Sequence, residues 1–218
     1  FVIDEKTSEL AQYLKDKLSH LLLLMIPASF GLYILRVPII QLILAGGTFD
    51  AAAVQLTADT LAALCFGIVA AAIIPLLSRV FFAFHDTFWP FVITILTVLI
   101  NTTIAILLAP SQGVVGIAIA SVISSVFGIL ALMIVLKAKY FKQESFFNIP
   151  QGFVALFASG IMTVTLVRIT EQFQFSSVWY LLLIQMLFIV CLGSVIYGAV
   201  VFLFLRREFV KMLRTWHH

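Results

Sequence analysis

Residues 90–109 read PFVITILTVLINTTIAILLA, and this stretch carries no Asp, Glu, Lys or Arg. A continuous helix through it would rise about 30 Å, the thickness of a bilayer's hydrocarbon core. Reading outward, polar and Pro/Gly punctuation marks off five more apolar stretches, at 18–45, 51–83, 114–136, 151–170 and 178–205. The whole chain agrees with this reading. It is 63% hydrophobic and 11% charged, with a mean hydropathy of +1.17, whereas a soluble domain carries about 25% charged residues. The fold class predicted is therefore all-α integral membrane, with six transmembrane helices. Twenty-one Phe against 10 acidic residues excludes a disordered chain, a basic nucleic-acid module and a disulfide-stapled secreted fold.

The 51–83 stretch is long for one crossing, about 50 Å of helix, so it must tilt, kink or project, and Pro75 is the expected kink. An even number of spans puts both chain ends on one side. With the ends inside, the inner flanks hold Lys6, Lys15, Lys17, Arg79, Lys137, Lys139, Lys142, Arg206, Arg207, Lys211 and Arg214, and the outer side keeps Arg36 and Arg168. That 11 to 2 split predicts cytoplasmic termini. The net charge of +3 has the same origin and needs no anionic partner. The opening FVIDEKTSEL is too polar for a signal peptide, and the chain reads as a piece of a longer protein.

The organisation expected is a cytoplasmic segment at 1–17, a four-helix portion at 18–136, a cytoplasmic connection at 137–149, an appended helix pair at 150–205 and a cytoplasmic tail at 206–218. Small residues thin out after 150 while Phe, Leu and Val dominate, which sets the last pair apart. Short loops are expected at 46–50 and 111–113 outside and at 85–89 inside.

No nucleotide-binding loop, HExxH or paired Cys/His set is present, so neither an enzyme nor a cofactor is indicated. Cys65 and Cys191 lie in apolar runs and read as packing. Polar groups at membrane depth are costly and are where function concentrates. Asp59 reads as a cation or proton site, or as a carboxylate near the outer interface paired with Arg36. Arg36 itself reads as an anion contact or as a paired, snorkelling cation. Asn101 must find a partner on a neighbouring helix, and Ser121 offers one, either as structural glue or as an ion-coordinating pair. Gln185 has the same two readings. Arg79 reads as a substrate contact or as an anchor at the cytoplasmic end of its helix, where a cation complements the helix dipole.

Particular residues also resemble a known family. Pro27-Ala28-Ser29 with Gly31 and Leu32, Pro38-Ile39-Ile40, Gly47-Thr48-Phe49-Asp50-Ala51, and Thr57-Ala58 are similar to the MurJ/MviN family of lipid II flippases. Arg79-Val80-Phe81-Phe82-Ala83-Phe84-His85-Asp86-Thr87-Phe88-Trp89-Pro90 resembles that family's Arg-x-Phe-Tyr-Ala-x-x-Asp-Thr-x-x-Pro segment. Gly113-Val114-Val115-Gly116-Ile117-Ala118-Ile119-Ala120-Ser121 resembles its Gly-x-x-Gly-Leu-Ala-x-Ala-Thr/Ser stretch. The markers occur in family order across residues 21–125.

The resemblance implies the C-terminal portion, helices nine to fourteen, of a fourteen-helix two-lobe flippase of the multidrug/oligosaccharidyl-lipid/polysaccharide exporter superfamily. It implies a bacterial cell inner membrane, peptidoglycan precursor transport by alternating access, and a last helix pair forming a groove for the lipid tail. Pro27, Pro75 and the 85–89 loop are candidate bending points. The implied partners are lipid II or a similar polyprenyl-pyrophosphate-linked substrate, membrane lipids, and the N-terminal half of the transporter, which carries the anion-binding residues. Asn101 and Ser121 match positions of a Na+ site in some members, with Ala105 where the family has an acidic partner. The implied coupling is therefore to Na+ or to the membrane potential, with no resident cofactor. Gly46, Phe88 and Trp89 depart from the usual loop residues. Rival readings are an O-antigen type flippase, a multidrug extruder, and a non-transporting membrane assembly protein.

Overall fold

The computed structural model describes residues 2–44, 50–142, 149–172 and 178–215, and every regular element among them is helical. Chain order is α1 (Val2–Leu44), α2 (Ala51–Cys65), α3 (Gly67–Ala83), α4 (Phe88–Lys139), α5 (Ile149–Gln172) and α6 (Trp179–Thr215). Residues 46–49 of the expected 46–50 loop and 143–148 of the expected 137–149 connection lie outside the described residues.

α1 is 43 residues long, Pro27 and Pro38 included, so it rises about 64 Å and exceeds the hydrocarbon core about twofold. The expected cytoplasmic segment at 1–17 is helical from Val2 onward. Its Ala11, Leu14 and Leu18 recur at helical spacing and are buried against Leu77, Val80 and Phe81 of α3 and Leu132 and Leu136 of α4. A second apolar cluster joins Leu35 of α1 to Met162 and Leu166 of α5 and Ile189 of α6. A third, at the other end of α1, joins Ile40 to Val54 and Ala58.

α2 starts at Asp50, whose carboxylate accepts from the Ala53 amide at 2.8 Å, a side-chain N-cap. The 51–83 span is interrupted at Phe66, whose amide reaches back to the Ala63 carbonyl at 3.3 Å, while Pro75 sits inside continuous helix α3. Phe66 itself stays in the α region, at φ −71° and ψ −20°, so one residue leaves the helical hydrogen-bond pattern without turning the chain. Gly67 is the sequence feature beside it: a methyl group there would lie 3.3 Å from Val122 Cγ2, so its absence lets α4 approach closely.

α4 is not one rod. Gly113, at φ 59° and ψ −135°, reverses the chain, a backbone setting open to glycine and costly for other residues. The 88–112 and 114–139 arms then pack antiparallel. A methyl on Gly116 would lie 2.8 Å from the Leu108 carbonyl oxygen, Ser121 Oγ is 3.4 Å from Asn101 Oδ1, and a methyl on Gly128 would lie 3.0 Å from Thr97 Oγ1. Gly116, Ala120, Ser124 and Gly128 recur every fourth residue and are buried. This small-residue stripe brings the two backbones together without a hydrophobic driving force, which lipid does not supply. Five described helices are long and apolar enough to cross a membrane. The Gly113 reversal divides one of them in two, and the six expected crossings result. The 111–113 loop contracts to a single non-helical residue.

α5 and α6 pack on each other and on α1 and, among the described residues, on no other helix. α1 also carries α2 and α3, and α4 lies against α2 and α3. The outward faces are greasy: Ile106, Leu107, Phe153 and Val195 are each about two-thirds exposed or more. α6 continues as helix through the expected tail to Thr215.

Candidate functional site: a membrane groove and the clamp at its base

Two stacked cavities run along α1. The first, about 520 Å³, lies between α1, α5 and α6 and is lined by Pro27, Gly31, Leu35, Met162, Val190 and Gly193 among others. Apart from Ser194 and the Tyr197 hydroxyl its described lining carries no polar side chain. Gly193 keeps this groove narrow, because a methyl on it would meet Leu166 Cδ1 at 2.9 Å. The second cavity, about 770 Å³, lies between α1, α3 and α6 and bears Lys17, His20 and Arg79 among apolar neighbours. Leu23, Leu24 and Tyr197 line both. Between the two, the Tyr197 hydroxyl donates to the Leu23 carbonyl at 2.7 Å, tying α6 to α1.

At the same end of the bundle as Lys17, the loop from α3 to α4 forms a clamp. α3 ends with two reversing hydrogen bonds, from the His85 amide to the Phe82 carbonyl at 2.9 Å and from the Asp86 amide to the Phe81 carbonyl at 3.0 Å. This is the Schellman pattern, which needs a left-handed residue at its hinge. His85 fills that position at φ 55°, where glycine is the usual occupant. The turn aims the Asp86 carboxylate at the far end of α4: Oδ2 accepts from Lys139 Nζ at 2.7 Å and from the Tyr140 hydroxyl at 2.7 Å. Oδ1 accepts from the Phe88 amide at 3.2 Å, which starts α4. The Tyr140 ring stacks on Phe84 at 4.1 Å between centroids, and its edge meets Phe81 at 6.1 Å.

The hydrogen bond from Lys139, then that from Tyr140, holds the Asp86 carboxyl down at about 2. Burial first, and then the bond to the carboxylate, pushes the Tyr140 hydroxyl up. Asp86 is thus a fixed anion joining the end of α3 to both ends of α4.

The remaining sequence candidates fall elsewhere. Arg36 Nη1 donates to the Tyr33 carbonyl at 2.8 Å, and the guanidinium stacks 4.5 Å from the Tyr33 ring centroid. Its Nε is buried without a hydrogen-bond partner among the described residues. The expected pairing with Asp59 is not formed among the described residues: Asp59 Oδ1 accepts from Gln55 Nε2 at 3.0 Å, one turn earlier on α2. A neighbour on its own helix satisfies that carboxylate at less entropic cost than a partner across a gap. Gln185 is half-buried on α6.

Asn101 and Ser121 are brought together, at 3.4 Å, although the same hydroxyl lies 3.1 Å from the Ile117 carbonyl. These two neutral oxygens fall well short of the roughly six ligands a hard cation takes. Among the described residues no group of three or more His, Cys, Asp or Glu could hold a metal ion. The donor set does not fit a cation cage, and no transport step is assigned to an ion there.

Sequence reading assigns no site role to Tyr13, His20 or Tyr197, and places Lys17 only among the inner-flank cations. The available signal was cationic and aromatic residues at helical spacing on a face that is otherwise apolar, Tyr13-Lys17-Leu21-Leu24.

The family described as "Lipid II flippase MurJ" matches residues 2–204. The chain belongs to the MurJ family. The match runs through the groove-forming helices α5 and α6 as well as through α1 to α4. A probable lipid II flippase MurJ of Thermotoga maritima is 26% identical over 216 residues, covering 99% of this chain and 42% of the relative. Its counterpart in Rickettsia prowazekii is 32% identical over 148 residues, 68% of this chain and 28% of the relative. A solved lipid II flippase MurJ in an inward closed conformation superposes with a TM-score of 0.78 at 24% identity, over 96% of this chain and 43% of that one. The fold is therefore that of the corresponding part of MurJ, and the chain spans about two-fifths of the length of the first of these relatives.

Proposed function

We propose that this chain forms the C-terminal portion of a lipid II flippase in the inner membrane of a bacterium, with both termini cytoplasmic. In that role it helps move a lipid-linked peptidoglycan precursor across the bilayer by alternating access. The observation that carries the reading is the apolar groove between α1, α5 and α6 in a chain of the MurJ family. A polyprenyl-pyrophosphate-linked sugar poses two problems, a charged head that must avoid hydrocarbon and a long chain that must stay in it. A lipid-facing groove answers the second. The first falls to the N-terminal half of the transporter, where the family resemblance puts the anion-binding residues. Helices α1 to α4 act as most of one rocking lobe, braced by the clamp at Asp86, and α5 with α6 forms the appended tail-binding pair. No bond is made or broken, so the role is transport and not enzymatic. The excess of Lys and Arg at the end carrying the N-terminus of α1 supports the orientation.

Expression of the complete gene in flippase-depleted cells tests this. Rescue of growth and of peptidoglycan synthesis is expected, and Val190→Arg, which places a charge in the groove, should abolish it while membrane insertion persists. Failure of the unmutated gene to rescue, with export of another polyprenyl-linked glycan instead, would overturn the lipid II assignment.

A further inference from the structure

The cavity between α1, α3 and α6 has a different character from the groove stacked on it. Tyr13, Lys17, His20, Leu21 and Leu24 fall on one face of α1 by helical spacing, α3 contributes Arg79, Pro75 and Ala72, and α6 contributes Tyr197 and Val201. Lys17 Nζ sits 5.5 Å from the Tyr13 ring centroid. The cations gather at one end of the cavity and the leucines lie deeper, so it is amphipathic along its depth. No carboxylate lines it among the described residues. α3 and α6 form its two side walls without packing on each other among the described residues, which leaves a slot between them.

We propose that this cavity binds the headgroup of an anionic phospholipid, held through its phosphate by Lys17, His20 and Arg79. Charge complementarity is the first argument: basic pockets between membrane helices on the cytoplasmic side are suited to anionic headgroups, and each Lys or Arg near the surface adds attraction. Depth is the second. From Lys17 to Leu24 is about 10 Å by helix rise, less than one leaflet. The bond from Tyr197 to the Leu23 carbonyl, at 2.7 Å, then crosses between α6 and α1. That depth takes the headgroup and the first part of an acyl chain, and the slot between α3 and α6 lets the rest of the chain leave sideways into the leaflet. The phosphate takes the lysine and guanidinium hydrogen bonds, His20 supplies a further ring nitrogen, and the apolar wall receives the chain. This inference needs the membrane embedding and not the transport reading, so either can fail alone.

The test uses protein expressed from the complete gene in phosphatidylcholine nanodiscs carrying a photoactivatable phosphatidylglycerol, with the cross-linked peptides mapped by mass spectrometry. Labelling is expected on the peptides containing 17–24 and 71–79. Lys17→Ala with Arg79→Ala should weaken it roughly 25-fold, about fivefold per charge removed, and the milder Lys17→Gln with Arg79→Gln should act in the same direction. Lys17→Arg with Arg79→Lys should hold within about twofold. Lys142→Ala, at an exposed cation outside the lining, should leave labelling unchanged. Equal labelling by photoactivatable phosphatidylcholine, or an equal loss in Lys142→Ala, would overturn the site. Displacement of the phosphatidylglycerol by a lower concentration of a polyprenyl diphosphate would assign the cavity to the transported lipid and overturn the phospholipid reading.

Discussion

Asp86 and Lys139 stand 53 positions apart and meet at 2.7 Å. That contact closes the open end of the α4 hairpin, whose other end is closed by the reversal at Gly113, so the two arms are pinned at both ends. Tyr140 shares the carboxylate and packs on Phe84, which fastens α3 to the same point.

Asp86→Asn keeps the shape of the loop and removes the charge. It is expected to speed amide hydrogen exchange in residues 84–90 and 136–141 while leaving the central helices unchanged. Tyr140→Phe, which removes one hydrogen bond and keeps the stack, should cost about 0.5–1.5 kcal/mol. Unchanged exchange in Asp86→Asn would mean that packing alone holds the hairpin closed.

Acid should release the same clamp. Folding lowers the Asp86 carboxyl to about 2, so its stabilising contribution is complete above the ordinary carboxylate pKa of about 4 and is lost as pH falls toward 2. The fluorescence of Trp89, next to the loop, followed from pH 5 to pH 2 in detergent, should report this transition, and Asp86→Asn should abolish it.

The α4 hairpin should be intolerant of bulk on its inner face. Gly116→Ala places a methyl 2.8 Å from the Leu108 carbonyl oxygen, and overpacking of this kind costs about 1–3 kcal/mol. Gly31→Ala, with nothing within 4 Å, should be close to neutral. Thermal unfolding of the two variants in one detergent gives the comparison; equal melting temperatures would contradict the close approach of the arms.

Two left-handed positions should respond in opposite directions. Gly113→Ala must adopt φ near 59° and is expected to lose about 1–3 kcal/mol. His85→Gly relieves a side chain held at φ 55° and should stabilise by up to about 1 kcal/mol. A destabilised His85→Gly would show that the imidazole makes contacts worth more than the strain it carries.

Tyr197→Phe removes the tie between α6 and α1 at Leu23. The expected cost is about 0.5–1.5 kcal/mol, with faster hydrogen exchange in residues 193–201, measurable by mass spectrometry.

Much of this architecture is legible in the residues alone. The charge-free run at 90–109 and its five companions give six crossings because the hydrocarbon core imposes a length and forbids charge. The contact of Asn101 with Ser121 was readable too, since a polar amide at membrane depth must find a partner on the next helix. Other features were less visible. The interruption at Phe66 has only Gly67 to mark it. The 2–17 segment looks polar in composition, yet its Ala11, Leu14 and Leu18 make it a packed helix. Asp59 and Arg36 looked complementary by charge, but Gln55 lies one turn from the carboxylate and local geometry decided the pairing. Lys139 and Tyr140 could be placed on the inner flank, but not on Asp86, because a tertiary contact over that separation leaves no periodic trace.

Among the described residues α5 and α6 pack on the rest of the bundle through α1, which makes α1 the axle of the structure. Apart from the chain connection that leads from α4 into α5, a displacement of that outer pair is passed on as torque on this rod, whose lower third is gripped by Leu77, Phe81 and Leu136. Filling or emptying the upper groove thereby becomes a mechanical signal delivered some tens of ångströms away, at the foot where α3 and α4 are fastened.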